Sequence, residues 1–326
     1  MAERVDLMAE PDRNLALELV RATEAAAIRA VPFIGKGDKL GADGAAVDAM
    51  RAFLATVAFD GVVVIGEGEK DKAPMLFNGE HVGNGSGRQA DIAVDPIDGT
   101  SMTAQGRQNA LSMIAVSDRH TMLDASTVFY MEKIVTDHYG IGVCSLDQSV
   151  GDNIRELAKA KGKDVGEMVI AVLDRPRHEG LIDEIRSAGA GTRLLLDGDV
   201  AGGINAARYE TRIDMCIGTG GSPEGVVTAC AIKALGGFIE GRLAPKDDEE
   251  RRRGEAAGLD MNRIYDADGL VAGNNTMFVA TGVTDGGLVE GVRRKGPIIR
   301  TESIVLRSRS GTLRRIVSDH VADRWF

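Results

Sequence analysis

The spacing of apolar and polar positions divides the chain into helices and strands. From Asn14 to Val31, the residues Leu15, Leu19, Ala22, Ala26 and Ile28 recur at helical intervals, which predicts an amphipathic helix. A second helix is predicted from about Gly44 to Ala58, where Asp43 occupies the place of an N-cap and the Asp60-Gly61 turn supplies the stop. The run Gly61-Val62-Val63-Val64-Ile65 is unbroken and β-branched, as expected of a strand covered on both faces. It leads into Gly66-Glu67-Gly68-Glu69. After a glycine-rich loop from Gly79 to Gly87, short strands are predicted at Asp91 to Val94, Leu111 to Val116 and Met131 to Val135.

A helix from Asn153 to Lys161 opens a second region in which strands (Met168 to Leu173, Arg193 to Leu196, Ile213 to Ile217) alternate with helices (near His178 to Ala188 and Val200 to Tyr209). That alternation is the pattern of βαβ units. The octapeptide Gly218-Thr219-Gly220-Gly221-Ser222-Pro223-Glu224-Gly225 then joins a strand to a helix running through Leu235, and the charge run from Lys246 to Gly254 reads as a solvated loop or helix face. The expected fold is mixed α/β, with sheets and helices in layers. Two subdomains are expected, residues 1–150 and 151–326, with the active site between them at the strand ends.

Composition narrows the partners. The 326 residues are 44% hydrophobic and 27% charged, with mean hydropathy near zero, as in a globular protein. Aromatics make up only 4% and the formal net charge is −10, which argues against a nucleic acid partner, since backbones are bound through Lys and Arg and bases stack on aromatic rings. An acidic protein that binds a small anion needs bound cations or a few placed Arg and Lys. Cys144, Cys216 and Cys230 are far apart and in no paired spacing, so they are expected to be reduced core thiols. The N-terminus is charged and no stretch approaches the ~18 apolar residues of a membrane span, so the chain is expected to be cytoplasmic.

Five predicted strands end in polar clusters: Glu67 with Glu69, Asp95 with Asp98, Arg175 with Arg177, Asp197 with Asp199, and Gly218 to Glu224. One such cluster reads equally well as part of a site or as residues that merely cap the following helix; several together favour a shared site, because ligands gather at the carboxyl ends of strands. The strongest single signal is Asp95-Pro96-Ile97-Asp98-Gly99-Thr100. Pro fixes the chain direction, Gly permits a tight turn, and two carboxylates converge on cations beside a hydroxyl. Oxygen ligands without nearby Cys or His suit Mg²⁺ or Mn²⁺, and with Glu67 and Glu224 the set is enough for two or more ions. Arg175 and Arg177 suit a second phosphate, and Asp197 and Asp199 suit sugar hydroxyls. His178 reads as structural, since the carboxylates already complete a metal set, and no Ser-His-Asp arrangement is supported.

The hexapeptide resembles that of the lithium-sensitive, metal-dependent phosphatase superfamily. The blocks GKGDKLGADGAAVDAMR, VVIGEGEKDKAPML, DIAVDPIDGTSMTAQG, YMEK, RPRH, DGDVA, GTGGSPEGV and KGPIIRTESIVLRSRSGTLRRI, in that order, resemble the class II (GlpX-type) fructose-1,6-bisphosphatases. The resemblance implies metal-dependent hydrolysis of the 1-phosphate of D-fructose 1,6-bisphosphate in gluconeogenesis. It implies Asp43 and Glu67 on one metal, and Asp95, Asp98 and Glu224 on a second, with Lys39 and Asp71 near the metals and Thr100 at the scissile phosphate. Glu67 or Thr100 would orient the attacking water. The same likeness assigns the sugar bisphosphate to Asp98, Gly99, Thr100, Tyr130, Arg175, Pro176, Arg177, Asp197, Gly198, Asp199 and Gly221. Many relatives carry Glu in place of Asp98, and some carry Lys in place of Arg175. A homo-oligomer, a tetramer, is the state implied. Rival readings are a phosphatase for sedoheptulose bisphosphate or an inositol phosphate, and a non-catalytic metal- and anion-binding regulatory module.

Overall fold

A computed structural model describes residues 15–66 and 76–325 of the chain. Glu67, Glu69 and Asp71 lie outside the described residues. The described residues form a mixed α/β fold in two compact units. One comprises those up to His120 together with those from Asn274 onward; the other is Thr121–Gly273.

The first unit opens with α1 (Leu15–Ala30), which buries Leu19, Ala22, Ala26 and Ile28 as its spacing predicts. A 3₁₀ turn at Val31–Phe33, with Pro32 in it, ends the helix. The next helix, α2 (Lys39–Leu54), starts earlier than Gly44, because the cap is Asp38 and not Asp43: the Asp38 carboxylate accepts the Gly41 N–H at 2.8 Å. Asp43 therefore lies inside the helix. Next come β1 (Phe59–Ile65), β2 (His81–Val82), β3 (Arg88–Asp98), α3 (Thr100–Ala104) and β4 (Leu111–Asp118).

The second unit holds β5 (Tyr130–Thr136), α4 (Val150–Lys161), β6 (Val169–Leu173), α5 (Glu179–Ser187), β7 (Gly191–Leu195), α6 (Asp199–Ala206), β8 (Met215–Gly221) and α7 (Ser222–Leu235). It closes with β9 (Phe238–Leu243), α8 (Asp248–Ala256), β10 (Ile264–Asp266) and α9 (Ala267–Leu270). Its sheet runs β10-β9-β5-β8-β6-β7, with β6 parallel to both β7 and β8. The helix α8 is the charge run, but it is not wholly solvated: Glu250 is buried and its carboxylate accepts the N–H groups of Phe129 and Lys246 at 3.1 and 2.7 Å.

The chain passes into the second unit after His120 and returns at Asn274, where the sequence pattern suggested one boundary near residue 150. The return has a plain cause. Strand β11 (Met277–Gly282) lies between β4 and β13 (Ile298–Arg307), antiparallel to both, with β12 (Arg293–Lys295) and β14 (Thr312–Val321) also on β13. The sheet of the first unit thus runs β12-β13-β11-β4-β3-β1-β2, with β14 on the far side of β13. Helices α1 and α2 cover this sheet through a core that includes Leu19, Val47, Phe59, Ile92, Val279 and Val305. Phe59 and Ile92 are fully buried, worth about 1.5–3 kcal/mol each relative to exposure.

All three cysteines are free and buried, and burial pushes the Cys144 and Cys216 thiols up to about 12. Among the described residues no helix is long and apolar enough to cross a membrane.

Candidate active site

In the first unit, the hexapeptide is the end of β3 and the start of α3. Asp95 pairs with Met113 of β4 and Asp98 with Leu111, so three steps along β3 oppose two along β4 and one residue is extra. Carboxylates three apart face opposite sides of a regular strand; one bulged residue reverses the alternation and sets both on one side. Asp98 is 7% exposed and Asp95 half-buried. Gly99 then takes φ 87°, where a Cβ would also meet the Met102 methyl at 2.4 Å, so the turn requires glycine. Thr100 begins α3, and its hydroxyl donates to the Ile97 carbonyl at 3.1 Å.

Two backbone hydrogen bonds hold the approach to α2 against α3: Gly35 N–H to Thr103 O at 2.9 Å and Gly37 N–H to Ala104 O at 2.8 Å. They set the first turns of α2 beside the end of the hexapeptide. Lys39 is exposed at the helix start, and Asp43, one turn further, is half-buried, with burial pushing its carboxyl above the usual range. Among the described residues, no three His, Cys, Asp or Glu side chains are grouped so as to hold a metal.

In the second unit, the ends of β6, β7 and β8, the start of β5 and the first turn of α7 carry the remaining described residues. Arg175 donates to Leu196 O at 2.6 Å and lies 3.3 Å from Asp197 Oδ1, so two residues of the proposed sugar-phosphate set are directly paired. Arg177 sends Nε and Nη2 to Thr219 O at 3.0 and 2.8 Å, and its guanidinium lies 4.9 Å from the centre of the Tyr130 ring. Pro176 between them starts the short 3₁₀ turn that leads into α5. Gly198, at φ 77°, precedes Asp199 at the first position of α6.

The glycine-rich octapeptide is not a free turn: Gly218 to Gly221 complete β8, paired with Tyr130 to Lys133 of β5. Glu224, in the first turn of α7, folds back over Gly221, where an added Cβ would fall 1.8 Å from Glu224 Oε2. That oxygen is buried and, among the described residues, has no hydrogen-bond partner. Burial and then the Asp199 charge push the Glu224 carboxyl upward, against the opposing pull of Lys133. A buried carboxylate oxygen without a donor suits a cation, and the oxygen-only donor set suits a hard divalent one.

His178, read from sequence as structural, is a buried brace. Its Nδ1 lies 2.8 Å from Leu173 O and its Nε2 accepts the Thr219 N–H at 2.9 Å, which defines a neutral ring protonated at Nδ1. Burial, then the charges of Arg177 and Arg175, lower its pKa below 6.5. The unfolded chain therefore takes up a proton first as pH falls, so this contribution to stability is complete above 6.5 and is lost below it. Melting of the wild type and His178→Leu between pH 8 and pH 5 checks this: the wild type is expected to lose its stability advantage on acidification, and a constant difference contradicts it.

The described geometry therefore joins Arg175 to Asp197 and Arg177 to Tyr130, and sets Asp95, Asp98 and Thr100 at the end of β3 and the start of α3. A family model described as "Bacterial fructose-1,6-bisphosphatase, glpX-encoded" matches residues 13–320. The chain belongs to that family. The Fructose-1,6-bisphosphatase 1 class 2 of Escherichia coli K12 is 44% identical over 325 residues, covering 96% of each chain. The class 2 fructose-1,6-bisphosphatases of Escherichia coli O6:H1 and Shigella flexneri match to the same extent. Sequence reasoning did not single out Lys133, which is buried in β5 against Asp199. Its one signal was its place inside the predicted strand Met131 to Val135, within the YMEK block.

Proposed function

We propose that this chain hydrolyses the 1-phosphate of D-fructose 1,6-bisphosphate to fructose 6-phosphate and phosphate, as a metal-dependent step of gluconeogenesis. The observation that carries the reading is 44% identity over nearly the whole length to enzymes of that name. The buried Glu224 oxygen, unpartnered among the described residues, and the carboxylate-bearing bulge of β3 support the metal dependence.

In this reading Asp43, Asp95, Asp98 and Glu224, with Glu67, are ligands for two or more Mg²⁺ or Mn²⁺ ions. Bound there, the ions supply charge neutralisation at phosphate oxygens and a lower pKa for bound water. The chain's own residues do the rest. Thr100 or Glu67 orients water for in-line attack, and Lys39 and Asp71 stand near the metals. Arg175 and Arg177 hold the phosphate that is not cleaved, with donors left over from their backbone contacts. Asp197 and Asp199 accept hydrogen bonds from sugar hydroxyls, while Tyr130, Pro176, Gly198, Gly99 and Gly221 shape the pocket. The same reading makes the protein a cytoplasmic homotetramer.

The role of the second phosphate is tested by Arg177→Ala. KM for the bisphosphate is expected to rise on the order of 10-fold or more while kcat changes little, because the contact is common to ground and transition states. An unchanged KM moves the role to other residues.

A further inference from the structure

Lys133 stands in the middle of β5, on the face of the strand that also carries Met131 and Val135, both buried. A lysine there has to be explained, since an ammonium group is rarely taken out of water without partners. It has two. Nζ donates to Asp199 Oδ2 at 2.5 Å and to Gly221 O at 2.9 Å, and the two side chains are 9% and 14% exposed. The neighbouring glycine makes room for the pair: a Cβ on Gly220 would lie 2.0 Å from Asp199 Oδ2 and 2.9 Å from Lys133 Nζ. Its stem also passes Gly225 of α7, where a Cβ would lie 3.2 Å from Lys133 Cδ.

The arrangement is one-sided. Lys133 takes Oδ2 of Asp199, and among the described residues Oδ1 accepts no hydrogen bond. Asp199 is also the first residue of α6, directly after the left-handed Gly198, so its backbone is set by the helix start while its carboxylate is set by Lys133. The same ammonium holds Gly221 O, fixing the last residue of β8 relative to α6.

We propose that Lys133 is a positioning residue for the sugar: it fixes one oxygen of Asp199 and the Gly221 carbonyl so that the other Asp199 oxygen faces a sugar hydroxyl. This rests on the reading of the protein as a sugar bisphosphatase. It adds the residue that gives Asp199 its aim. Lys133 touches neither substrate nor water in this scheme, so its loss acts through Asp199. Without the ammonium, Asp199 turns toward other donors and a pre-formed acceptor is lost, at a cost in sugar affinity on the order of 10- to 100-fold, the range for one buried charge-assisted hydrogen bond.

The test uses the full chain in a fixed concentration of Mn²⁺, with Lys133→Met, Lys133→Gln, Asp199→Asn and the Lys133→Met/Asp199→Asn double variant. Turnover of fructose 1,6-bisphosphate gives kcat and KM, and calorimetric binding of fructose 6-phosphate gives an affinity that needs no turnover. The expected result is that Lys133→Met raises KM and the fructose 6-phosphate Kd together with little change in kcat. Lys133→Gln, which keeps a donor, is expected to retain part of the affinity, and the double variant to bind no worse than Asp199→Asn alone. Wild-type affinity in Lys133→Met, or losses that add fully in the double variant, overturn the proposal; if Lys133→Met does not fold, Lys133→Gln against Asp199→Asn decides it by the same readouts. A wild type that binds fructose 6-phosphate more tightly than Lys133→Met does but releases no phosphate removes the phosphatase reading and leaves this one. A wild type that does neither overturns both.

Discussion

Asp95→Asn and Glu224→Gln are each expected to lower kcat on the order of 10²-fold or more while leaving the fold intact, because each removes a charged oxygen ligand and adds no bulk. Glu224→Gln differs from a damaged core in one measurable way. In the folded chain Glu224 ionises at a higher pH than its ordinary 4.5, chiefly through burial. Between those two points the folded state keeps a proton that the unfolded chain has already lost, so stability falls as pH rises through that window. Glutamine carries no such charge. In chelator at pH 7, Glu224→Gln is therefore expected to melt at a higher temperature than the wild type, with the difference vanishing below pH 4.5. Calorimetric titration with Mn²⁺ supplies the second readout. Wild-type metal affinity in both variants would end the assignment of these carboxylates.

Thr100 carries the second large effect. Its hydroxyl hydrogen lies on the Ile97 carbonyl, which leaves the oxygen lone pairs fixed in direction at the first position of α3. Serine keeps the oxygen, whereas alanine and valine do not, and valine also keeps the β-branched shape. The expected order of kcat is threonine, then serine, then alanine and valine, lower on the order of 10²-fold or more, with metal binding retained. The comparison of Thr100→Val with Thr100→Ser separates loss of the oxygen from loss of packing. A Thr100→Val enzyme that keeps most of its kcat under saturating metal and substrate reduces Thr100 to a turn residue and leaves Glu67 to orient the water.

Local pattern revealed some of these elements and hid others for physical reasons. Helix α1 and strand β1 were legible because each sets an apolar face against the core, although β1 is not covered on both faces: Phe59, Gly61, Val63 and Ile65 are buried while Val62 and Val64 are half-buried. The start of α2 was misread because Asp38 and Asp43 are both good caps and Gly41 and Gly44 dilute the apolar periodicity between them. The residues Gly218 to Gly221 look like a turn by composition, yet they pair in register with β5, because a ladder uses backbone groups that glycine also has. Strand β11 pairs with β4 across the whole second unit, a non-local contact that no window of sequence records.

The site divides the same way. Asp95, Asp98 and Thr100 were legible as a motif because their chemistry is contiguous, but the extra residue that sets the two carboxylates on one side of β3 appears only in the register. Arg175 and Asp197 were each readable as strand-end residues, and their pairing is a consequence of β6 and β7 being parallel neighbours. Lys133 escaped because its partners, Asp199 and Gly221, are far along the chain and nothing local marks the pairing.

The most direct test of the central claim is phosphate release from fructose 1,6-bisphosphate by the purified chain, with Mg²⁺, with Mn²⁺ and with chelator. The expected result is one phosphate released per sugar, fructose 6-phosphate as the product, and no release in chelator until a divalent ion is restored. A correctly folded protein that releases no phosphate with either ion, or one whose activity survives complete chelation, contradicts the account.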